Sequence, residues 1–392
     1  MVEWKKLGDI CEIKGRIGFR GYTREDQVEK GNGAISLSPG NIFDSVLNYD
    51  SCTYITWEKY EESPEIMVNE GDIILCKTAS VGKVARVKQL PEKATINPQL
   101  VLIKNIKTNP QYLFYILDDT PFQVKIKGLA GVGSVPNVSQ AKLSSIQIPI
   151  PSLEEQNRIV GILDTFTASI DNLKEQIAQR RKQYEYYRCR LFSKDKWEEI
   201  KIGELTKVFS CPRVFKDQWQ VSGVPFWRSS DIMSYHNGVI NPRGEVFISQ
   251  SLYDELSSKS DKIKEGDILV TGGGSIGIPY LKMDNSPLFV KDADLICIQK
   301  CSSIVPKYLY HYFLSTDFKL YLKKITHDAT IAHYTINQIK DTPIPLPPLS
   351  EQQRIVNILD QFEASIQNLE AQLSQREKQY EYYRNKLLTF ED

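Results

Sequence analysis

The chain has 392 residues, 41% hydrophobic and 25% charged, which suits two ordinary globular domains and excludes a disordered chain. Its 49 Lys and Arg balance 49 Asp and Glu, so there is no global positive field and a nucleic-acid partner would have to be met by local basic surfaces. Its 7 cysteines are odd in number, scattered and without C-x-x-C spacing, excluding a disulfide framework and a structural zinc site; with no 18-residue apolar run and no signal region, a cytoplasmic protein is expected.

In chain order, Leu7 to Ile10 (LGDI) opens a first body, and Glu70 to Cys76 (EGDIILC) reads as a turn followed by a buried strand. A polar loop follows, ending in Ser80-x-Gly82, and Pro110 to Leu117 (PQYLFYIL) reads as a short amphipathic helix. A strand rich in Ile and Pro then runs into a long helix. Pro149 and Pro151 forbid helix upstream, and Ser152 to Glu155 reads as a capping box that starts it.

Apolar residues then step by 4 and 3 through Ile159, Leu163, Phe166, Ile170, Leu173, Ile177, Tyr184, Tyr187 and Leu191, a heptad seam interrupted by Arg180. A helix of about 38 residues would span roughly 57 Å, a ruler between domains. Arg180 either sets register and escapes to solvent or marks a place where the seam opens to a partner carboxylate. Tyr186 faces off the seam beside Arg188, a pairing better suited to a protein interface than to a solvated face.

The landmarks then return. Ile202 to Leu205 (IGEL), Glu265 to Thr271 (EGDILVT), the Ser275-x-Gly277 loop and Pro306 to Leu314 (PKYLYHYFL) repeat the first body in order. Pro345 to Thr389 then repeats Pro149 to Ser193 without insertion, with about 28 of the 45 aligned positions identical. The second seam carries Arg376 where the first carries Arg180, and Tyr382 and Arg384 where the first carries Tyr186 and Arg188. Its capping box reads as Ser350 to Gln353, out of alignment with the first. One module is therefore used twice, in the manner of a fused dimer, and two-fold dimers commonly answer two half-sites on DNA. The scaffold agrees between the copies and the polar loops differ, the reverse of what two copies of a catalytic site would give.

Catalytic motifs fail in context. Gly272 to Gly277 fits G-x-G-x-x-G, but Pro279 stands where a helix must begin and the sister loop Lys77 to Gly82 lacks the first two glycines. Lys77 to Lys83 resembles the end of a phosphate loop, yet Val84 stands where Ser or Thr should hold magnesium. Nothing matches an S-adenosylmethionine glycine motif. His236, His311, His327 and His333 have no metal-ligand spacing, so neither a metal site nor a catalytic residue is expected.

The order of landmarks, with the P-x-P-x-L-x-E-Q-x-x-I-V opening of both helices, resembles the specificity subunit of type I restriction-modification systems over the whole chain. The resemblance implies an α+β fold. Two similar α/β target-recognition domains, 1–150 and 194–346, would alternate with conserved helices at 151–193 and 347–392. Those helices would form an antiparallel intramolecular coiled coil with pseudo-two-fold symmetry. Each domain would read one half of a split DNA target while the helices set the gap and dock two methyltransferase subunits, with restriction and translocase subunits completing the complex. The helix role falls on Pro151, Leu153, Glu155, Gln156, Ile159 and Leu163, with Pro347, Leu349, Glu351, Gln352, Ile355 and Leu359. Glu155, Gln156, Glu351 and Gln352 would serve the partner or the helix start, and Tyr186, Arg188, Tyr382 and Arg384 the partner. No cofactor is expected on this chain; S-adenosylmethionine, ATP and magnesium would belong to the partners.

Base readout needs donors and acceptors in a groove, and phosphate contacts fix position. The nominated DNA contacts in the first body are Arg16, Arg20, Ser36, Ser38, Asn41, Lys77, Thr78, Ser80 and Lys83. In the second they are Arg213, Lys216, Arg228, Ser229, Ser230, Ser275, His333 and Tyr334. Two other readings stay open at this stage: a non-DNA scaffold whose coiled coil spaces two binding modules, and a recognition subunit whose nuclease and methylase share one separate chain.

Overall fold

A computed structural model describes residues 2–17, 21–131, 135–192, 197–239, 244–326 and 333–390. The chain divides into two compact units: Met1–Asn172 with Leu373–Asp392, and Leu173–Gln372. Each joins one body to parts of both long helices.

The first unit begins with β1 (Glu3–Lys6), the single-turn α1 (Leu7–Ile10), β2 (Glu12–Lys14), β3 (Gln27–Val28) and β4 (Ala34–Leu37). Next come a hairpin of β5 (Ile42–Phe43) and β6 (Val46–Leu47), then β7 (Thr53–Ile55), α2 (Trp57–Glu61), β8 (Ile73–Cys76), β9 (Val84–Arg86), β10 (Ala94–Ile96) and β11 (Leu100–Lys104). Helices α3 (Pro110–Asp118), α4 (Thr120–Leu129) and α5 (Gln140–Ser144) lead through β12 (Gln147–Ile150) into α6 (Leu153–Leu191). Two four-stranded sheets result, ordered β2-β11-β8-β9 and β10-β4-β7-β3, with β4 and β10 parallel and β1 antiparallel to β12.

The second unit repeats the plan with β13 (Glu199–Lys201), α7 (Ile202–Leu205), β14 (Val208–Phe209), β15 (Val224–Trp227), α8 (Ser229–His236), β16 (Phe247–Ile248), α9 (Gln250–Lys259) and β17 (Ile268–Thr271). It continues with β18 (Pro279–Leu281), β19 (Phe289–Val290), β20 (Leu295–Ile298), α10 (Pro306–Leu314), α11 (Thr316–Ile325), α12 (Ile336–Lys340), β21 (Pro343–Pro345) and α13 (Leu349–Leu388). Sheet β14-β20-β17-β18 matches β2-β11-β8-β9, the parallel pair β15 and β19 matches β4 and β10, and β13 with β21 matches β1 with β12.

The repeated glycine-aspartate turn has a local cause. Gly71 and Gly266 take φ of +92° and +89°, a region that disfavours side chains with a Cβ. The following aspartate closes the turn, Asp72 accepting from the Asn69 N–H at 2.9 Å and Asp267 from that of Lys264 at 2.8 Å. The next four residues, β8 and β17, are buried throughout and form the centre of each sheet.

The long helices are tied to their own bodies by equivalent bonds. Tyr112 donates its hydroxyl to the Pro149 carbonyl at 2.9 Å, and Tyr308 to that of Pro345 at 2.7 Å. Ser152 caps α6, its hydroxyl accepting from the Glu155 N–H at 3.3 Å, but the reciprocal half of the expected box is replaced, the Glu155 carboxylate being taken by Arg158. The second capping box does not form: α13 begins at Leu349, so Ser350 lies inside the first turn and Pro348 occupies the aligned cap. The Pro348 carbonyl accepts from the Gln352 N–H at 3.0 Å, so the helix starts in register with the first without a serine cap.

Within each unit the seam is antiparallel. In the first, Phe166 stacks on Tyr383 at 5.3 Å and Arg376 lies 5.7 Å over the Phe166 ring. In the second, Tyr187 stacks on Phe362 at 5.3 Å, Arg180 lies 5.8 Å over that ring, and Arg181 pairs with Glu370 at 2.6 Å. The interrupting arginines thus rest on aromatic faces of the opposite helix segment. No helix among the described residues is long and apolar enough to cross a membrane.

Candidate nucleic-acid interface

The polar loops after β8 and β17 have one backbone and two sets of side chains. Gly82 N–H bonds the Cys76 carbonyl at 3.0 Å and Gly277 N–H that of Thr271 at 2.7 Å. Val138 N–H bonds the Lys77 carbonyl at 2.9 Å, and Tyr334 N–H that of Gly272 at 2.9 Å. Left-handed conformations recur at Ala79 (+63°) and Gly274 (+73°), and at Gly82 (+99°) and Gly277 (+77°). On this common frame the first unit carries Lys77, Thr78, Ala79 and Ser80 where the second carries Gly272, Gly273, Gly274 and Ser275.

In the first unit the structure brings Lys77, Thr78, Ser80 and Lys83 together at one loop, with Ser80 and Lys83 exposed. Thr78 donates to Asn137 at 2.9 Å, and the Lys83 ammonium reaches the Ile42 carbonyl at 3.4 Å. The other nominees of this body sit deeper. Arg16 is 4% exposed and bonds Ile96 O at 3.2 Å and Thr95 Oγ1 at 3.1 Å, and burial pulls its pKa below the usual value. Ser36 is buried and donates to Tyr22. Asn41 is buried too: its Oδ1 accepts from the Ser38 N–H and hydroxyl, while its amide donates to Asn48 O and Ser51 O, each at 3.2 Å. These groups shape the loops from within. Arg20 lies outside the described residues.

In the second unit Lys216, Arg228, Ser229, Ser230 and Ser275 converge on an open cleft of about 820 Å³. Trp219, Met233, Gly273, Gly274 and Lys291 also line it; the loop holding Gly273 and Gly274 is marked in the sequence without either being nominated, and Trp219, Met233 and Lys291 carry no local signal. The Arg228 guanidinium is engaged by Asp231 at 2.9 Å and by Gly244 O at 2.6 Å, so it braces the start of α8. Lys291 pairs with Asp294 at 2.8 Å. The lining mixes cationic, hydroxyl, carboxylate and apolar side chains, which suits recognition of a base edge; a pure phosphate site would be all donors. Arg213 is exposed, 5.6 Å from the Phe215 ring. His333 is exposed, and Tyr334 is fully buried with its hydroxyl bonded to Thr342.

On the helices, Gln156 and Gln352 face their own bodies. Gln156 Oε1 accepts from the Asn109 N–H at 3.0 Å and from the Thr108 hydroxyl; Gln352 Oε1 accepts from the Val305 N–H at 2.8 Å. Glu155 and Glu351 instead form two-pronged pairs with Arg158 and Arg354 at 2.6 to 2.7 Å. Tyr186 and Tyr382 are exposed. Arg188 is buried over the Tyr184 ring and bonds Glu185. Arg384 lies over Tyr380 and 3.4 Å from Asp119, whose pKa burial raises against the pull of Arg384.

One cluster had no sequence signal. Buried His311 sits between Asp360, 3.0 Å from Nε2, and Glu363, 3.8 Å from Nδ1; Lys307 also pairs with Asp360 and Tyr184 donates to Glu363. The carboxylates meet opposite ring nitrogens and a lysine shares one of them, a poor cage for a cation. At the aligned place in the first unit Tyr115 donates to Asp164 at 2.5 Å and Gln111 to the same oxygen at 3.2 Å, so each unit fastens a body helix to a long helix through one aspartate.

The family profile described as type I restriction modification DNA specificity domain matches residues 1–180 and again 194–377. A putative type I restriction enzyme specificity subunit of Haemophilus influenzae is 34% identical over 298 residues, covering 72% of this chain and 73% of that protein. A type I restriction enzyme specificity subunit of Escherichia coli is 29% identical, covering 72% of each. Among solved structures, the type I restriction-modification S subunit from M. genitalium shares the fold, with a TM-score of 0.56 at 15% identity over 100% of this chain and 97% of that one.

Proposed function

The chain belongs to the type I restriction modification DNA specificity domain family, matched in both of its repeats, and we propose that each repeat reads one half of a split DNA target. It is a DNA-target-recognition component and not itself a catalyst. The observation that carries the split reading is the loop pair Lys77–Gly82 and Gly272–Gly277: one backbone, held by the same bonds, presenting different side chains. A frame kept constant while its groove-facing groups change is what two readers of different sequence require.

In this reading α6 and α13, of 39 and 40 residues, set the gap between the half-sites, and their exposed Tyr186 and Tyr382 meet two methyltransferase subunits. Restriction and translocase subunits complete the assembly in the cytoplasm. S-adenosylmethionine, ATP and magnesium belong to those partners, and this chain carries no cofactor.

The test is genome-wide mapping of methylated bases in a host expressing the chain with its neighbouring methyltransferase, against the methyltransferase alone. A split motif with a fixed gap that requires this chain is the expected result. Exchanging residues 1–150 for the same part of a relative should then change one half-site only. A change in both halves would refute modular reading.

A further inference from the structure

The two units differ in form just after β4 and β15, beside the reading loops. In the first unit that stretch folds into the β5–β6 hairpin, which packs on β9 and lies within reach of Lys83. In the second, at the same step of the repeat, it folds into α8, which borders the cleft with Ser229, Ser230 and Met233 beside Gly273 and Ser275. A two-stranded ribbon and an α-helix are the two elements that the major groove of B-DNA admits.

The hairpin is built as a rigid presenter. Buried Asn41 pins its base, and Asp44 and Ser45 turn it with φ of +46° and +59°. The Ser45 hydroxyl ties the tip to Asp118 at 2.6 Å. Phe43 and Val46 are cross-strand partners and stand 71% and 59% exposed. Two apolar side chains held outward on a braced turn next to a lysine-bearing loop have no role in the core of their own unit. Asp44 at the tip offers nothing to phosphate, and the one base-edge role open to a carboxylate in the groove is to accept from a cytosine amino group. The apolar feature exposed there is the thymine 5-methyl group.

We propose that the β5–β6 hairpin enters the major groove and that Phe43, supported by Val46, is a specificity-determining residue that recognises a thymine methyl in the half-site read by the first unit. This rests on the DNA-reading function above and names the chemistry of one of its contacts.

The test uses the full chain with its methyltransferase partner and duplexes bearing the mapped target. Each thymine is replaced in turn by deoxyuridine, which removes the methyl alone. At one or two thymines of a single half-site, affinity should fall about four-fold, the worth of one buried methyl-sized group. Phe43→Ala should lower affinity for the thymine duplex by a similar factor and be indifferent to the same replacement. If Phe43→Ala proves poorly folded, Val46→Ala is put through the same series. A target half without thymine on either strand, no sensitivity to deoxyuridine, or equal sensitivity in wild type and variant overturns the inference and leaves DNA reading intact. Loss of methyltransferase binding with unchanged deoxyuridine sensitivity also overturns it. Absence of any chain-dependent methylated motif overturns the reading itself.

Discussion

Gln352 clamps Val305, 47 positions behind it, with Oε1 accepting the backbone N–H at 2.8 Å while Nε2 reaches Ser303 O and Pro347 O at 3.0 and 2.9 Å. Gln156 makes the corresponding clamp on Asn109 and Pro151 in the first unit. The side chain that opens each long helix therefore also fixes it to the body it leaves.

Removing either clamp strands buried backbone groups. Gln352→Ala and Gln156→Ala should each cost about 2–4 kcal/mol, a few unsatisfied polar groups at roughly 1–3 kcal/mol apiece with partial relief by water. Glu155→Ala breaks the more exposed pair with Arg158, worth no more than about 1 kcal/mol. Chemical denaturation of the three variants measures the contrast, and equal losses would contradict the assignment.

Burial holds the pKa of His311 below its usual value, outweighing Asp360 and Glu363, which raise it; Lys307 adds to the lowering. The folded state therefore favours the neutral ring, and the unfolded chain takes up a proton first. The stability that His311 supplies is fully present above the unfolded value of about 6.5 and is lost as pH falls below it. His311→Tyr, which installs the group found at Tyr115, should flatten the melting profile between pH 7 and pH 5 relative to wild type. A parallel pair of profiles would refute the assignment.

Grafting the first reading loop onto the second is limited by backbone contacts. A Cβ at Gly272 would meet Ala293 O at 2.7 Å and Tyr334 O at 2.9 Å, whereas at Gly273 the nearest atom is Asp294 Oδ1 at 3.4 Å. Gly274 has open space and a φ that Ala79 already tolerates in the sister loop. Gly273→Thr with Gly274→Ala should fold within about 2 kcal/mol of wild type, the cost of one left-handed alanine. Gly272→Ala should cost more, about 3 kcal/mol or above. Thermal melts rank the variants, and motif mapping should show one altered half-site for the double variant.

Lys83→Gln should weaken binding to all duplexes alike. It should reduce the slope of log affinity against log salt by about 0.9, one released counterion. An unchanged slope would place Lys83 away from phosphate.

The repeat, the helices, the glycine-aspartate turns and the Ser-x-Gly loops were legible because each is a local pattern: a heptad, a left-handed glycine, a proline before a helix. Burial of the loop polar groups was not. Arg16, Ser36 and Tyr334 look like groove contacts by residue type, and only tertiary packing turns them inward. Two cases had local clues: Ser38 with Asn41, and Arg228 with Asp231, stand three apart and cap their own turns. The cleft, joining residues from Lys216 to Asp294, and the His311 cluster, joining α10 to α13, have no expression in neighbouring sequence.

The first unit closes its core with Leu387 and Leu388 against Leu7, Tyr112 and Ile159, residues made long before them. On the ribosome, at about 5–20 residues per second, that leaves an interval of roughly 10–45 s between completion of residue 172 and arrival of residue 388. Throughout it the apolar stripe of Ile159, Leu163 and Phe166 has no mate from α13, while the second unit, continuous from Leu173 to Gln372, has all its parts first. The order of synthesis thus makes the first unit the last to mature, and any trigger factor or holdase that attends this chain would find its work there.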